Sequence, residues 1–169
     1  MNHPRVTILM GTYNRAGLLR GTIQSIQKQT FSDWELIIAD DGSGDSTPQV
    51  IEELKKEEAR IVYIRSEVNQ GISKNYNMGL QAVRGEYVAM IDDDDPWLDP
   101  RKLEKQIAFL DTHKEFVGCG GGVVVINEHD EELYRYLKPE HDEVIRRYML
   151  FSNPMANSTT LFRFSSTKE

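Results

Sequence analysis

Residues 85–103 read GEYVAMIDDDDPWLDPRKL, an apolar run closing at Ile91 on four consecutive aspartates, Asp92 to Asp95. The run Glu86–Ile91 has the length and composition of a buried strand. After the aspartates, Asp99 and Pro100 supply an N-cap and a first helical position that needs no N–H. Leu103, Ile107 and Leu110 then recur at helical spacing. The segment therefore reads as strand, acidic turn, helix. Upstream the same alternation recurs three times. Val6–Met10 is a strand, followed by the stripe Leu19, Ile23, Ile26. Trp34–Ala39 is a second strand, and Val50, Ile51 and Leu54 mark a second helix. Ser46 with Gln49 fits a capping box at its start, and Pro48 is tolerated in its first turn. Ile61–Ile64 gives a third strand. Ile72, Tyr76, Leu80 and Val83 give a third helix, with Gly85 expected to end it as a left-handed cap. Downstream the pattern changes. Gly118–Asn127 is a glycine-rich β run, Glu128–Glu132 a polar hairpin containing Asp130, and Leu133–Leu137 a further strand. Asp142–Leu150 reads as helical and Ser158–Arg163 as extended.

Strands alternating with helices predict an α/β fold with a mostly parallel sheet covered on both faces, because parallel neighbours need crossover helices. At 169 residues one domain is expected. In this architecture ligands gather outside the carboxyl ends of the strands. The residues to watch are therefore Gly11–Arg15, Asp40–Gly44, Glu67–Lys74 and Asp92–Asp95. Composition narrows the ligand class. The net charge is -7 and no Lys/Arg stripe occurs, which argues against a nucleic-acid partner. No apolar stretch reaches the roughly 20 residues of a membrane span, and Met1–Pro4 leads directly into a strand rather than a signal peptide. A cytoplasmic protein, or one peripheral to the inner face of a membrane, is the expectation. The single cysteine, Cys119, excludes a disulfide framework and reads as a small buried thiol.

A solvated turn has no need of four like charges within a few ångströms, where repulsion raises their pKa values. A hard divalent cation does, since Mg²⁺ and Mn²⁺ take carboxylate oxygens together with water and phosphates. If the segment stayed extended, Asp92 and Asp94 would point to one side and Asp93 to the other. Other motifs fail on the same residues. An EF-hand loop from Asp92 would need Gly and Glu where Trp97 and Leu103 stand. The glycines 118 and 120–122 lead into a strand, not into the helix that a dinucleotide fingerprint requires. No P-loop or nucleophile elbow occurs. At the other strand ends, Asp41 could accept from a base N–H, and Thr12 and Tyr13 offer a hydroxyl and a flat ring for stacking. Converging on one sheet edge, they predict a pocket for a base with a metal nearby for its diphosphate.

Five stretches in this order, VTILMGTYNR (6–15), QTFSDWELIIADDGS (29–43), NQGISKNYNMGL (69–80), GEYVAMIDDDDPW (85–97) and KLEKQ (102–106), make the chain resemble a family 2 glycosyltransferase. The resemblance covers nearly its whole length. It implies a three-layer α/β/α, Rossmann-like nucleotide-diphospho-sugar transferase fold, incomplete at the C-terminus, with residues 1–117 as the nucleotide-sugar and metal-binding half and 118–169 as the start of the acceptor-side half. It also implies a metal-dependent, inverting transferase of polysaccharide or cell-surface glycan synthesis. The donor would be a nucleoside diphosphate-sugar, UDP- or dTDP-linked, the acceptor a glycan or lipid-linked hydroxyl, and the cofactor Mg²⁺ or Mn²⁺. Carried over by residue, Tyr13 lies against the base with Thr12 beside it, and Asp41 accepts from the base N–H. Lys74 approaches the diphosphate, Asp92 or Asp93 contacts the ribose, and Asp94 with Asp92 forms the outer pair of an Asp-x-Asp metal motif. The chain departs from the family in having Tyr76 where many members have arginine, and in the extra residue Asp99 before Pro100. NPMANSTTLFR (153–163) resembles the segment that precedes the catalytic base, which is expected beyond Glu169. A module that binds nucleotide-sugar without turnover is the alternative. A sugar-nucleotide pyrophosphorylase is disfavoured, because Gly11–Asn14 has no glycine run.

Overall fold

The computed structural model describes residues 3–129 and 131–164. Asp130 of the polar hairpin lies outside the described residues. In chain order the strands are β1 (Val6–Thr12), β2 (Trp34–Asp40), β3 (Ile61–Arg65), β4 (Tyr87–Asp92), β5 (Gly118–Cys119), β6 (Val123–Ile126), β7 (Glu132–Tyr136) and β8 (Leu161–Arg163). The helices are α1 (Ala16–Gln27), α2 (Thr47–Glu57), α3 (Ile72–Gln81), α4 (Lys102–Thr112) and α5 (Asp142–Tyr148). A 3₁₀ turn spans Asn157–Thr159.

The main sheet has the order β3-β2-β1-β4-β8-β5. Strands β1 to β4 run parallel, in registers such as Ile8↔Leu36 and Ile8↔Ala89. β8 adds antiparallel to β4, and β5 antiparallel to β8. The chain builds outward from β1 to β3, then crosses back to lay β4 on the other side of β1. Consecutive loops therefore diverge between β1 and β4, and the winding reverses there, the place at the carboxyl edge where open α/β sheets bind ligands. β6 and β7 pair separately as a two-stranded antiparallel sheet.

Side-chain alternation sorts the core onto two faces. Val6, Ile8 and Met10 of β1, Leu36 and Ile38 of β2, and Ala89 and Ile91 of β4 meet Leu19, Ile23 and Ile26 of α1, Ile51 and Leu54 of α2, and Leu103, Ile107 and Leu110 of α4. Leu9, Ile37 and Val88 point the other way, under Tyr76 and Leu80 of α3 and Val83 after it. The result is a mostly parallel sheet between helical layers. Ile23 has no exposed surface. Its truncation to Ala would forfeit about 2–5 kcal/mol, transfer and cavity terms together.

Local expectations differ from the structure at four places. Ile72 is 72% exposed, because the first turn of α3 overhangs the sheet edge, and the buried face of the helix is carried by Asn75 and Gly79. Gly79 lies so close to β1 that an added Cβ would sit 2.4 Å from Leu9 Cδ1. Gly85 is not a left-handed cap. Its conformation is ordinary, and a Cβ there would lie 2.5 Å from the Thr7 nitrogen, so close backbone approach is what requires glycine. The capping box at Ser46 does not form. Ser46 makes no side-chain cap bond, and Asp45 Oδ1 accepts the Thr47 N–H instead. α4 starts at Lys102 rather than at Asp99–Pro100. Asp99 Oδ1 accepts the Arg101 N–H in a turn ahead of the helix, which accommodates the extra residue.

Candidate nucleotide-sugar site

The loops after β1, β2, β3 and β4 lie at the carboxyl edge and are laced together by hydrogen bonds. Asn14, at φ 54°, accepts the Gly44 N–H on its side-chain oxygen at 2.8 Å, and its own N–H donates to Ser43 Oγ at 2.9 Å. Asn tolerates this left-handed backbone better than most residues. The β1 and β2 loops are thereby locked to one another. Asp40, fully buried, accepts from the Ser43 hydroxyl at 2.6 Å and from the Tyr63 hydroxyl at 2.6 Å. Burial first, and then the Asp40 carboxylate, push the Tyr63 phenol well above its ordinary range.

Asp41, also buried, spends both carboxylate oxygens on the β3–α3 loop. Oδ1 accepts the Gln70 N–H at 2.7 Å, and Oδ2 the Gly71 N–H at 2.8 Å. The residue expected to read a base is thus already a structural anchor, with only its remaining lone pairs free for a ligand. Gly42 beside it has φ 76°, and a Cβ there would meet the Val68 backbone at 2.8 Å. Lys74 sits exposed on the first turns of α3 without an ion pair among the described residues. The Tyr13 ring is 44% exposed after β1, available for stacking.

The aspartate run does not stay extended. β4 ends at Asp92, and the Asp95 N–H closes a turn on the Asp92 carbonyl at 3.3 Å. The four carboxylates consequently take four different environments. Asp92 Oδ1 accepts from the Tyr76 hydroxyl at 2.8 Å and from Asn157 Nδ2 at 2.7 Å. Asp93 is buried on the α1 side, where Oδ2 accepts from the Thr12 hydroxyl at 2.6 Å. Asp94 is exposed and meets Arg15 Nη1 at 3.1 Å. Asp95 Oδ2 accepts from the Ser158 hydroxyl at 2.7 Å. The turn therefore separates Asp92 from Asp94, which the extended-strand expectation placed on one side. It holds for Asp93, which does point away from Asp92.

Crowding the acids has the expected sign, with burial the larger cause. Desolvation pushes the Asp93 carboxyl above its ordinary value. The Thr12 hydrogen bond opposes this, and Asp94 and Asp92 add repulsion. Asp95 is raised in the same way, against its bond from Ser158. Tyr76 is pushed far up by burial and by the Asp92 charge, so it stays a neutral donor.

Among the described residues, no three acidic, histidine or cysteine side chains converge into a cage for a metal. The donor set is instead one exposed carboxylate, Asp94, paired with Arg15, and a second, Asp92, that is largely hydrogen-bonded. Mg²⁺ and Mn²⁺ are commonly held by one or two carboxylates, with water and substrate phosphates completing the shell. The residues fit a cation that arrives with a diphosphate better than one held by protein alone.

Three contributors escaped the sequence reading, the Tyr76 hydroxyl, Asn157 and Ser158, while Arg15 fell within the Gly11–Arg15 loop but was given no role of its own. Tyr76 was legible only as a departure from the family pattern. Asn157 and Ser158 lie in a stretch read as acceptor-side, yet the structure seats them on the aspartate turn.

The sequence matches the family Glycosyl transferase family 2 over residues 7–169. The chain belongs to that family. Among family relatives, EpsE of Bacillus subtilis (strain 168), which carries a provisional glycosyltransferase name, is 33% identical over 96% of this chain and 58% of its own length. The GalNAc(5)-diNAcBac-PP-undecaprenol beta-1,3-glucosyltransferase of Campylobacter jejuni is 42% identical over 56% of this chain and 31% of its own. The chain thus spans between about a third and three-fifths of these relatives. Among solved structures, Staphylococcus aureus TarS 1-349 in complex with UDP-GlcNAc superposes with TM-score 0.72 at 22% identity, covering 97% of this chain and 46% of that one. The Pyrobaculum calidifontis mannosyltransferase PcManGT, in complex with GDP-Man and Mn²⁺, superposes with TM-score 0.70 at 18% identity, covering 96% and 45%. These likenesses establish the nucleotide-sugar transferase fold. No described helix is long and apolar enough to cross a membrane.

Proposed function

We propose that this chain is the donor-binding part of an inverting, metal-dependent glycosyltransferase that takes a sugar from a UDP- or dTDP-linked donor to a glycan or lipid-linked hydroxyl. The observation that carries the reading is the convergence, at the reversal of the sheet, of an exposed aromatic ring, buried acceptors and an aspartate turn. Family membership adds the reaction class. In the proposed complex Tyr13 stacks on the base, with Thr12 and Asp41 beside it. Asp92 or Asp93 accepts from the ribose, Lys74 meets the diphosphate, and Asp94, with a contribution from Asp92, ligates Mg²⁺ or Mn²⁺. The cation would neutralise charge on the leaving diphosphate. The acceptor hydroxyl forms its new bond to the anomeric carbon as the carbon–oxygen bond to the diphosphate breaks, and its proton passes to a carboxylate base. We place that base outside residues 1–169. The division into a donor half, 1–117, and an acceptor-side half, 118–169, is part of the same proposal.

Support includes the acidity of the whole chain. With a net charge of -7, a diphosphate needs a local counter-charge, and an open aspartate holding a divalent ion supplies one. The test is calorimetric titration of UDP, dTDP, GDP and their sugar conjugates with Mn²⁺, and again in excess chelator. Saturable binding that weakens strongly on chelation is expected. Equal affinity in both conditions would remove the metal from the proposal, and no uptake of any nucleotide would remove the site.

A further inference from the structure

The carboxylate of Asp92 is approached by donors from two distant parts of the chain. Tyr76 Oη from α3 lies 2.8 Å from Oδ1, and Asn157 Nδ2, 65 residues along the chain, lies 2.7 Å from the same atom. Two donors fill the lone pairs of Oδ1. The other oxygen, Oδ2, has Ser158 Oγ at 3.3 Å, but that hydroxyl carries one proton and Asp95 Oδ2 sits closer, at 2.7 Å. Ser158 Oγ also receives the Asp92 N–H at 2.9 Å, which is the role of an acceptor. Among the described residues, Asp92 Oδ2 is thus left without a proton donor, while Oδ1 is saturated.

The Asn157–Thr159 turn does not depend on the Asn157 side chain for its own position. The Ser158 carbonyl accepts from Trp97 Nε1 at 2.7 Å, the Thr159 carbonyl from Gln106 Nε2 at 2.8 Å, and the Thr160 carbonyl from the Met90 N–H at 3.1 Å. With the turn held by these three bonds, the Asn157 amide is free to serve another purpose. The atom it reaches is an aspartate of the candidate donor site.

We propose that Asn157 is a positioning residue for the donor: with Tyr76 it pins Asp92 by Oδ1, so that Oδ2 is presented as a fixed acceptor to a hydroxyl of the bound nucleotide. A side chain in the stretch read as acceptor-side therefore sets the geometry of donor recognition. The inference rests on the nucleotide reading of the site and adds to it a residue outside the aspartate run.

A double-mutant cycle separates this from a structural role. UDP is titrated calorimetrically, with Mn²⁺, into the wild-type chain, Asn157→Ala, Asp92→Ala, which removes the shared acceptor, and the double variant. Losing one charge-assisted bond on a shared oxygen should weaken UDP about three- to tenfold in Asn157→Ala. If Asn157 acts through Asp92, the double variant binds no more weakly than Asp92→Ala alone. Tyr76→Phe, which removes the companion bond with little change of shape, should show the same non-additivity and keeps the test decisive should Asn157→Ala unfold. Fully additive losses, or unchanged UDP affinity in both Asn157→Ala and Tyr76→Phe, overturn the proposal. Failure of the wild-type chain to take up UDP or GDP overturns the nucleotide reading itself, an outcome distinct from additivity.

Discussion

Replacing Asp41 with Ala removes a buried carboxylate whose two oxygens hold consecutive backbone N–H groups at the start of α3, at 2.7 Å from Gln70 and 2.8 Å from Gly71. The two bonds are not equally replaceable. Gly71 also lies 3.1 Å from Asn69 Oδ1 and can turn to it, whereas the Gln70 N–H has no second acceptor among the described residues. Orphaning one N–H bonded to a charged group costs about 1.5–3 kcal/mol, and weakening the shared one adds about 0.5–1 kcal/mol. The expected loss is therefore about 2–4 kcal/mol, or roughly 5–15 °C in Tm for a chain of this size. Asp41→Asn keeps one acceptor oxygen for Gln70 and leaves Gly71 to Asn69, so about 1–2 kcal/mol is expected. Urea unfolding followed by far-UV circular dichroism measures both. A loss below about 0.5 kcal/mol in Asp41→Ala would refute the view that this carboxylate anchors the loop. The consequence for function is direct. Because the same loop leads into the helix bearing Lys74, weaker nucleotide binding by Asp41→Ala does not by itself identify a base contact. Asp41→Asn, which preserves more of the loop, is the variant that tests whether the base N–H is read here.

Tyr13→Ala should cost about 1–3 kcal/mol of UDP affinity by calorimetry if a base stacks on the exposed ring. Tyr13→Phe should cost little, and a large loss with Phe would assign the contact to the hydroxyl. Asp94→Asn should remove most of the Mn²⁺ dependence of UDP binding. Arg15→Ala, freeing Asp94 of its only cation among the described residues, should tighten Mn²⁺ binding without nucleotide by about two- to fivefold, the scale of an exposed ion pair; paramagnetic resonance of free Mn²⁺ reads both. Lys102 lies half-buried with its ammonium 4.0 Å above the Trp97 ring, and burial pulls its pKa from 10.5 down to about 7. The unfolded chain then holds more protons between pH 7 and 10.5, so stability should rise with pH across that window relative to Lys102→Met. Parallel urea stabilities of the two proteins at pH 7 and 9.5 would contradict it.

The order of elements and the gathering of the candidate residues at one sheet edge were legible in the sequence because both rest on local signals. Short apolar runs rich in β-branched residues and stripes such as Leu19, Ile23, Ile26 depend only on neighbours a few residues away, and strands separated by helices pair in parallel. Once the sheet is parallel, its carboxyl edge is where a ligand sits, and Thr12, Asp41 and Asp92–Asp95 fall there by chain order alone. The helix ends were less legible. Whether Ser46 or Asp45 caps α2, and whether Gly85 is needed for a left-handed angle or for close approach to Thr7, depends on atoms the local sequence does not position. The individual roles of the four aspartates belonged to the tertiary structure. A turn after Asp92 breaks the alternation that pairs Asp92 with Asp94. The partners that then distinguish the carboxylates come from α3, from the end of β1 and the loop after it, and from the turn at Asn157. Hydrogen bonds have a reach of about 3 Å in space and no preferred separation in sequence. The bond from Asn157 to Asp92 exists only because β8 folds back beside β4, and that strand pairing brings a residue 65 positions away onto the turn that the aspartates alone had announced.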